Sequence, residues 1–140
     1  MNNLYARTVF FVTHAERASR FYVERLGFSD GWKHQEEGRT VVCQVSLFGF
    51  ELILNEADDR ARNRIGKGRA FIGLEDDQSE RIREHFAAHG IRADRVEWGR
   101  PTLMVKDLDD NELLFWLPRD DLTGFEIPAR ESGAIIHPVR

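Results

Sequence analysis

Cysteine is almost absent from the chain: Cys43 is the only one in 140 residues, which excludes an internal disulfide and fits a reducing compartment. Its place in "TVVCQV" reads as a buried strand thiol, so no nucleophilic role is assigned to it. Long apolar runs are missing too. None approaches the roughly 20 residues needed to span a bilayer, and the opening "MNNLYARTVFF" lacks the basic, apolar and small-residue order of a secretory signal. The expected setting is the cytoplasm, with no membrane partner. Nor is there a basic cluster: Lys/Arg and Asp/Glu are interspersed and the formal net charge is −4, so no positive stripe can track a nucleic-acid backbone. Neither a nucleophile elbow nor a phosphate-binding glycine loop occurs, since "GKGRA" at Gly66 lacks the Walker spacing and reads as a linker end.

What is present is a strongly patterned chain. From Tyr5, "YARTVFFV" is β-branched and aromatic and predicts a strand. "THAERASRFYVERLGF" then changes period: Ala18, Phe21, Tyr22 and Leu26 form one apolar stripe and the charged residues take the other face, which predicts an amphipathic helix. Thr13 with Glu16 has capping-box spacing, and Gly27 is a natural left-handed stop. "FSDGWKH", "TVVCQVSLF" and "FELILN", separated by glycine turns, predict three antiparallel strands. After a charged connector the order recurs: "RAFIGL" as strand, "DDQSERIREHFAAHGI" as helix with Ile82 and Phe86 inward, then "RADRVEW", "PTLMVKD" and "NELLFWL" as strands.

The halves superpose by simple offset. Gly27 corresponds to Gly90, and "FELIL" corresponds to "NELLF", pairing Glu51 with Glu112 and Ile53 with Leu114. The expected fold class is therefore α+β: two tandem βαβββ modules, 4–56 and 69–118, joined by a linker over 57–68, forming a curved mixed sheet with a concave cleft. Residues 1–120 make one domain. Residues 121–140, with two prolines, two glycines and no sustained period, read as a C-terminal arm.

"VTHAERASRFYVERLGF", "SERIREHFAAHGI" and "VKDLDDNELLFWLP" together resemble the vicinal oxygen chelate superfamily, which includes glyoxalases, ring-cleaving dioxygenases, epimerases and the bleomycin and fosfomycin resistance proteins. The resemblance covers Tyr5 through Pro118 and implies the glyoxalase/bleomycin resistance fold. It also implies a divalent metal held on the concave face by His, Gln or Glu from the first and last strand of each module. Carried over one at a time, those positions fall at Arg7 or Thr8, Ile53, Ala70 and Leu114. Arginine keeps its proton, threonine is a poor ligand and the others donate nothing. The family's last motif runs roughly "DPDGNxIEL", with its metal Glu seven residues after the first Asp; here that place is Leu114, and Glu112 stands two residues earlier on the same face. Leu108 replaces the motif's proline and Asp110 its glycine. No metal, cofactor or catalytic residue is expected.

The five histidines are scattered, and His85 with His89 on the second helix reads as surface or packing. Aromatics and a few charges on the concave parity mark the candidate ligand site: Arg7, Trp32, Glu51, Ile53, Trp98, Glu112, Leu114 and Trp116. Arg7 has a second reading, as a partner that neutralises Glu51 or Glu112. The expected function is that of a metal-independent binding protein of the bleomycin-resistance type, a homodimer sequestering a planar or cationic organic molecule. The competing expectation is a lyase, isomerase or dioxygenase whose metal rests on Glu51, Glu112 and a histidine brought in by a loop or a partner chain. A domain that binds a regulatory partner, its cleft filled by its own side chains, is the third.

Overall fold

The computed structural model describes residues 5–118 and residue 125. β1 (Thr8–Val12) alternates as its sequence demands, with Phe10 and Val12 buried and Val9 exposed. It starts three residues later than the apolar pattern at Tyr5 suggested. α1 (Ala15–Arg20) runs without a break into a π-helical turn, Phe21–Arg25, and the predicted stripe is buried through Ala18, Tyr22 and Leu26. Gly27 has φ +86°, the left-handed conformation that ends the element.

The start of this helix differs from the expected capping box. His14, not Thr13, occupies the cap position, and no side chain caps it there. The free Ala15 N–H is instead taken at 3.0 Å by Glu56 Oε1, and Thr13 Oγ1 donates to Asp109 Oδ1 at 2.5 Å. Tertiary partners have displaced a local motif: Glu56 satisfies a free N–H of the first turn as a local cap would, and the Thr13 hydroxyl is engaged by Asp109.

β2 (Ser29–Glu36), β3 (Arg39–Leu47) and β4 (Phe50–Glu56) follow as an antiparallel run, and β1 joins β4 in parallel, giving the order β1-β4-β3-β2. The second half repeats this: β5 (Arg69–Gly73), α2 (Asp76–His89), β6 (Asp94–Glu97), β7 (Pro101–Lys106) and β8 (Glu112–Trp116) build a sheet of order β5-β8-β7-β6, with β5 parallel to β8. Here the capping box does form, between Glu75 and Gln78. The connector contains a short 3₁₀ turn, Arg62–Arg64. The fold is α+β, two modules of one topology.

Each sheet packs one face on its helix, and the two packed faces form one continuous core through Tyr22, Leu52, Leu54, Ile72, Phe86, Leu113 and Phe115. Among the described residues no ladder joins the two sheets. The halves are tied by side chains instead. Asn111 Nδ2 donates to Phe11 O at 3.2 Å, Gly68 N–H donates to Asn111 Oδ1 at 2.9 Å, and the Gly68 backbone lies against the Phe10 ring, where a side chain would clash.

The turn before β8 is organised by Asp107, whose Oδ1 accepts from the backbone N–H groups of Asp109 (2.8 Å) and Asn111 (2.9 Å). Asp110 has φ +73°. The place where the family motif has glycine thus keeps the left-handed backbone, and aspartate is among the residues that adopt it most readily. The 121–140 arm lies outside the described residues apart from Phe125, which is buried with its ring 6.1 Å from that of Phe86 and under the Arg83 guanidinium. No described helix is long and apolar enough to cross a membrane.

Candidate functional site

Because strand side chains alternate, the helix-packed residues fix what lies on the opposite, helix-free faces. On the first sheet the parallel register sets Val9 beside Ile53. On the second it sets Phe71 beside Leu114. Two of the positions carried over from the family are thereby corrected. Thr8 shares the parity of buried Phe10, and Ala70 that of Ile72, so both point toward the helices and not into a cleft. A one-residue slip reverses the face of a strand: the count from Phe21-Tyr22 gives Arg7, which shares the parity of Val9, and only its slipped alternative Thr8 falls on the helix side, whereas the count from Asp76-Asp77 falls one residue short of Phe71. The helix-free quartet in register is Val9, Ile53, Phe71 and Leu114, all without a donor atom.

Next to these stand two equivalent ion pairs. Arg7 Nε meets Glu51 Oε1 at 2.6 Å, and Arg69 Nε meets Glu112 Oε1 at 2.7 Å. The Arg7 pKa is raised above its ordinary value chiefly by that hydrogen bond to Glu51. Of the two sequence readings of Arg7, the neutralising one describes the geometry, and the Arg69 pair is its repeat in the second module. Both carboxylates proposed as makeshift metal ligands are engaged by guanidinium groups, and among the described residues no three of His, Cys, Asp and Glu converge as a metal site would require. The donor set among the described residues does not fit a divalent metal.

The second module's helix-free face is aromatic. Phe71 is 44% exposed, its ring centroid 5.1 Å from that of Trp98 and 4.8 Å from that of Trp116, and the two tryptophan rings are 6.3 Å apart. Leu114, buried with Val96 and Met104, lies beneath. A hollow of about 170 Å³ opens here, lined by Arg69, Ala70, Phe71, Trp98 and Leu114. Arg100 stacks on Trp116 with its guanidinium carbon 5.1 Å from the ring centroid. Trp116 Nε1 is buried and finds no hydrogen-bond partner among the described residues.

The sequence-selected residues therefore fall into two groups. Trp98, Glu112, Leu114 and Trp116 gather on the second sheet, although Trp98 sits in the turn after β6 and not within a strand. Arg7, Trp32, Glu51 and Ile53 belong to the first sheet, where Trp32 Nε1 donates to Gln44 Oε1 at 3.1 Å and makes no ring contact with the other tryptophans among the described residues. Phe71, Arg69 and Arg100 were missed. The offset that paired Glu51 with Glu112 was the available signal for Arg69, since Arg7 and Arg69 are related by nearly the same interval.

Other candidates are structural. His85 and His89 stack at 4.0 Å between centroids, and their ring nitrogens sit 3.0 Å from the carbonyls of Arg25 and His85. Cys43 is buried, and burial pushes its thiol up to about 11, the opposite of what a nucleophile needs.

No curated protein sequence matches the chain. Solved structures do. An antibiotic-binding protein from a Streptomyces species is 21% identical with a TM-score of 0.58, covering 85% of this chain and 100% of its own. A bleomycin-binding protein from bleomycin-producing Streptomyces verticillus, solved with copper(II)-bleomycin, is 15% identical with a TM-score of 0.62, over 85% of this chain and 99% of that one. A lactoylglutathione lyase from Agrobacterium tumefaciens is 16% identical with a TM-score of 0.58, over 84% and 95%. Binding proteins and an enzyme thus share the scaffold, so the likeness fixes the fold and leaves the chemistry to the site. The model of the Glyoxalase/Bleomycin resistance protein/Dioxygenase superfamily matches residues 5–115, and with both modules, their topology and the aspartate turn in place, the chain belongs to that superfamily.

Proposed function

We propose that this chain is a metal-independent binding protein that sequesters a planar or cationic organic molecule in a cleft floored by the helix-free faces, and that it works as a homodimer in the cytoplasm. The observation that carries the reading is the aromatic hollow at Phe71, Trp98 and Leu114, set where the family's metal chemistry would need donors and bordered by a carboxylate already paired with Arg69. An apolar concavity with few polar groups is the usual form of a small-molecule site. The antibiotic-binding and bleomycin-binding neighbours support a binding role by analogy. Dimerisation is supported by exposed Val9 and Phe71 on β1 and β5, each paired on one edge only.

Titration of the purified protein with planar aromatics and cationic glycopeptides, followed by tryptophan fluorescence, tests the binding role; no response to any compound would refute it. Elemental analysis of protein purified without chelator tests metal independence. Stoichiometric Zn, Ni, Mn or Fe would replace the proposal with the metal-dependent lyase, isomerase or dioxygenase reading. Size-exclusion chromatography with light scattering checks the dimer.

A further inference from the structure

We infer that a hollow between the modules on their helix-packed side is a second small-molecule site, one that takes an organic monocarboxylate with a compact apolar body; it is separate from the helix-free cleft and independent of what that cleft binds. The end of the first helical segment, the β3–β4 hairpin and α2 meet there around a space of about 140 Å³. Leu26, Leu47 and Ile82 line it from below, and all three are buried members of the common core. An apolar cavity of about 150 Å³ accommodates a benzene, so one ring or a short branched chain fits and a charged head stays at the mouth.

The turn that supplies Phe48 to this hollow runs against local preference. Phe48 (φ +53°) and Gly49 (φ +92°) form the two-residue loop between the paired residues Leu47 and Phe50, where Asn or Asp is favoured at the first place because a left-handed backbone disfavours a bulky side chain. Strain of this kind persists only where its surroundings over-determine it, and it collects where ligands are held. Here it brings an aromatic ring against the second module, with the Arg81 guanidinium carbon 4.9 Å from the ring centroid. Gly27 serves the same hollow: a Cβ there would lie 3.1 Å from the His85 ring, whose Nε2 sits 3.0 Å from Arg25 O.

Charge then fixes the class. Among the described residues no carboxylate lines the hollow, and Arg81 makes no ion pair or hydrogen bond, only its stack on Phe48. Stacking uses the flat face of the guanidinium and leaves its in-plane N–H donors for a carboxylate, whose two oxygens match that fork. A cation is repelled by Arg81, a neutral molecule forgoes the charge-assisted bonds, and a small hydrophilic anion leaves the apolar floor uncovered. A carboxylate on an apolar body meets both demands.

Benzoate, benzamide and benzylamine present one ring with a negative, a neutral and a positive head. Each would be titrated into the full chain with backbone amide shifts followed by NMR, and benzoate also into Arg81→Gln, Arg81→Lys and Arg17→Gln variants whose urea midpoints confirm folding; Arg17 is exposed on α1 and outside the hollow. Benzoate is expected to shift Gly27, Phe48 and Ile82 saturably and to bind at least tenfold more tightly than the other two. Arg81→Gln should weaken it about tenfold, Arg81→Lys by less, and Arg17→Gln not at all. Equal affinity for benzoate and benzamide, or benzoate affinity indifferent to Arg81→Gln, would overturn the inference. Benzoate shifts confined to Phe71 and Trp98 would put the ring in the helix-free cleft, overturning the second site while supporting the function proposed for the cleft. No shift at Gly27, Phe48 or Ile82 from any of the three would overturn the second site whatever the cleft binds.

Discussion

Tyr22 Oη donates a 2.8 Å hydrogen bond to Asp107 Oδ2, joining the first module's helical segment to the turn that aims the last strand of the second. Both residues are buried. Asp107 also accepts from Asn111 Nδ2 at 3.1 Å and from two backbone N–H groups, so one carboxylate organises the turn and the seam together.

Tyr22→Phe removes one donor and leaves a buried carboxylate under-satisfied, so it should cost about 1.5–3 kcal/mol in urea denaturation at neutral pH. Burial raises the Asp107 pKa above its ordinary 3.8, while Tyr22, Asn111 and the backbone bonds oppose the rise. With the folded value above the unfolded one, the native chain holds the extra proton between them: the contribution of Asp107 is fully present below the unfolded value and declines as pH rises through the folded one. Tyr22 favours the ionised form. The substitution should therefore cost less when denaturation is repeated in acid, where both states are protonated.

Gly68 lies against Phe10, and an added Cβ would also come within 3.0 Å of Asn111 Oδ1. Gly68→Ala should destabilise by about 1–3 kcal/mol, the usual cost of overpacking. Gly73→Ala is the control, because a Cβ there meets nothing within 4 Å. Thermal melts of the two variants should separate clearly, and equal shifts would deny the seam its importance.

Cys43 should resist modification. With its thiol pushed to about 11 by burial, labelling by a disulfide reagent at pH 8 should be slow in the native protein and should accelerate with urea in step with unfolding. The folded value lies above the unfolded 9.0, so this group's stabilisation holds below pH 9 and is lost as pH climbs toward 11. Fast native labelling would contradict the buried placement.

The Arg69–Glu112 pair is partly exposed, with side-chain accessibilities of 34% and 21%. A double-mutant cycle with Arg69→Ala and Glu112→Ala should give a coupling of roughly 0.2–1 kcal/mol that shrinks in high salt. A larger, salt-insensitive coupling would mean that the pair is desolvated in solution by something bound over it.

The sequence by itself determined the repeated strand and helix order, the fold class, the buried stripe of Tyr22 and Leu26 and the placing of Glu112 on the same strand face as Leu114. These are local matters: periodicity, glycine stops and a count of residues along one strand suffice, because side chains on a strand alternate whatever surrounds them. What only the tertiary structure decided concerns partners. Thr13 had the spacing of a cap, yet it bonds Asp109 across the seam, and a distant carboxylate from Glu56 serves the helix instead. Ala70 and Phe71 differ by one residue in sequence but by a whole face in space, and only the register of β5 against β8 chose Phe71 for the open side. That choice gathers Phe71, Trp98 and Trp116 into one patch and leaves Trp32 on the other sheet, since side chains far apart in the chain meet only once strand pairing has fixed which faces they share.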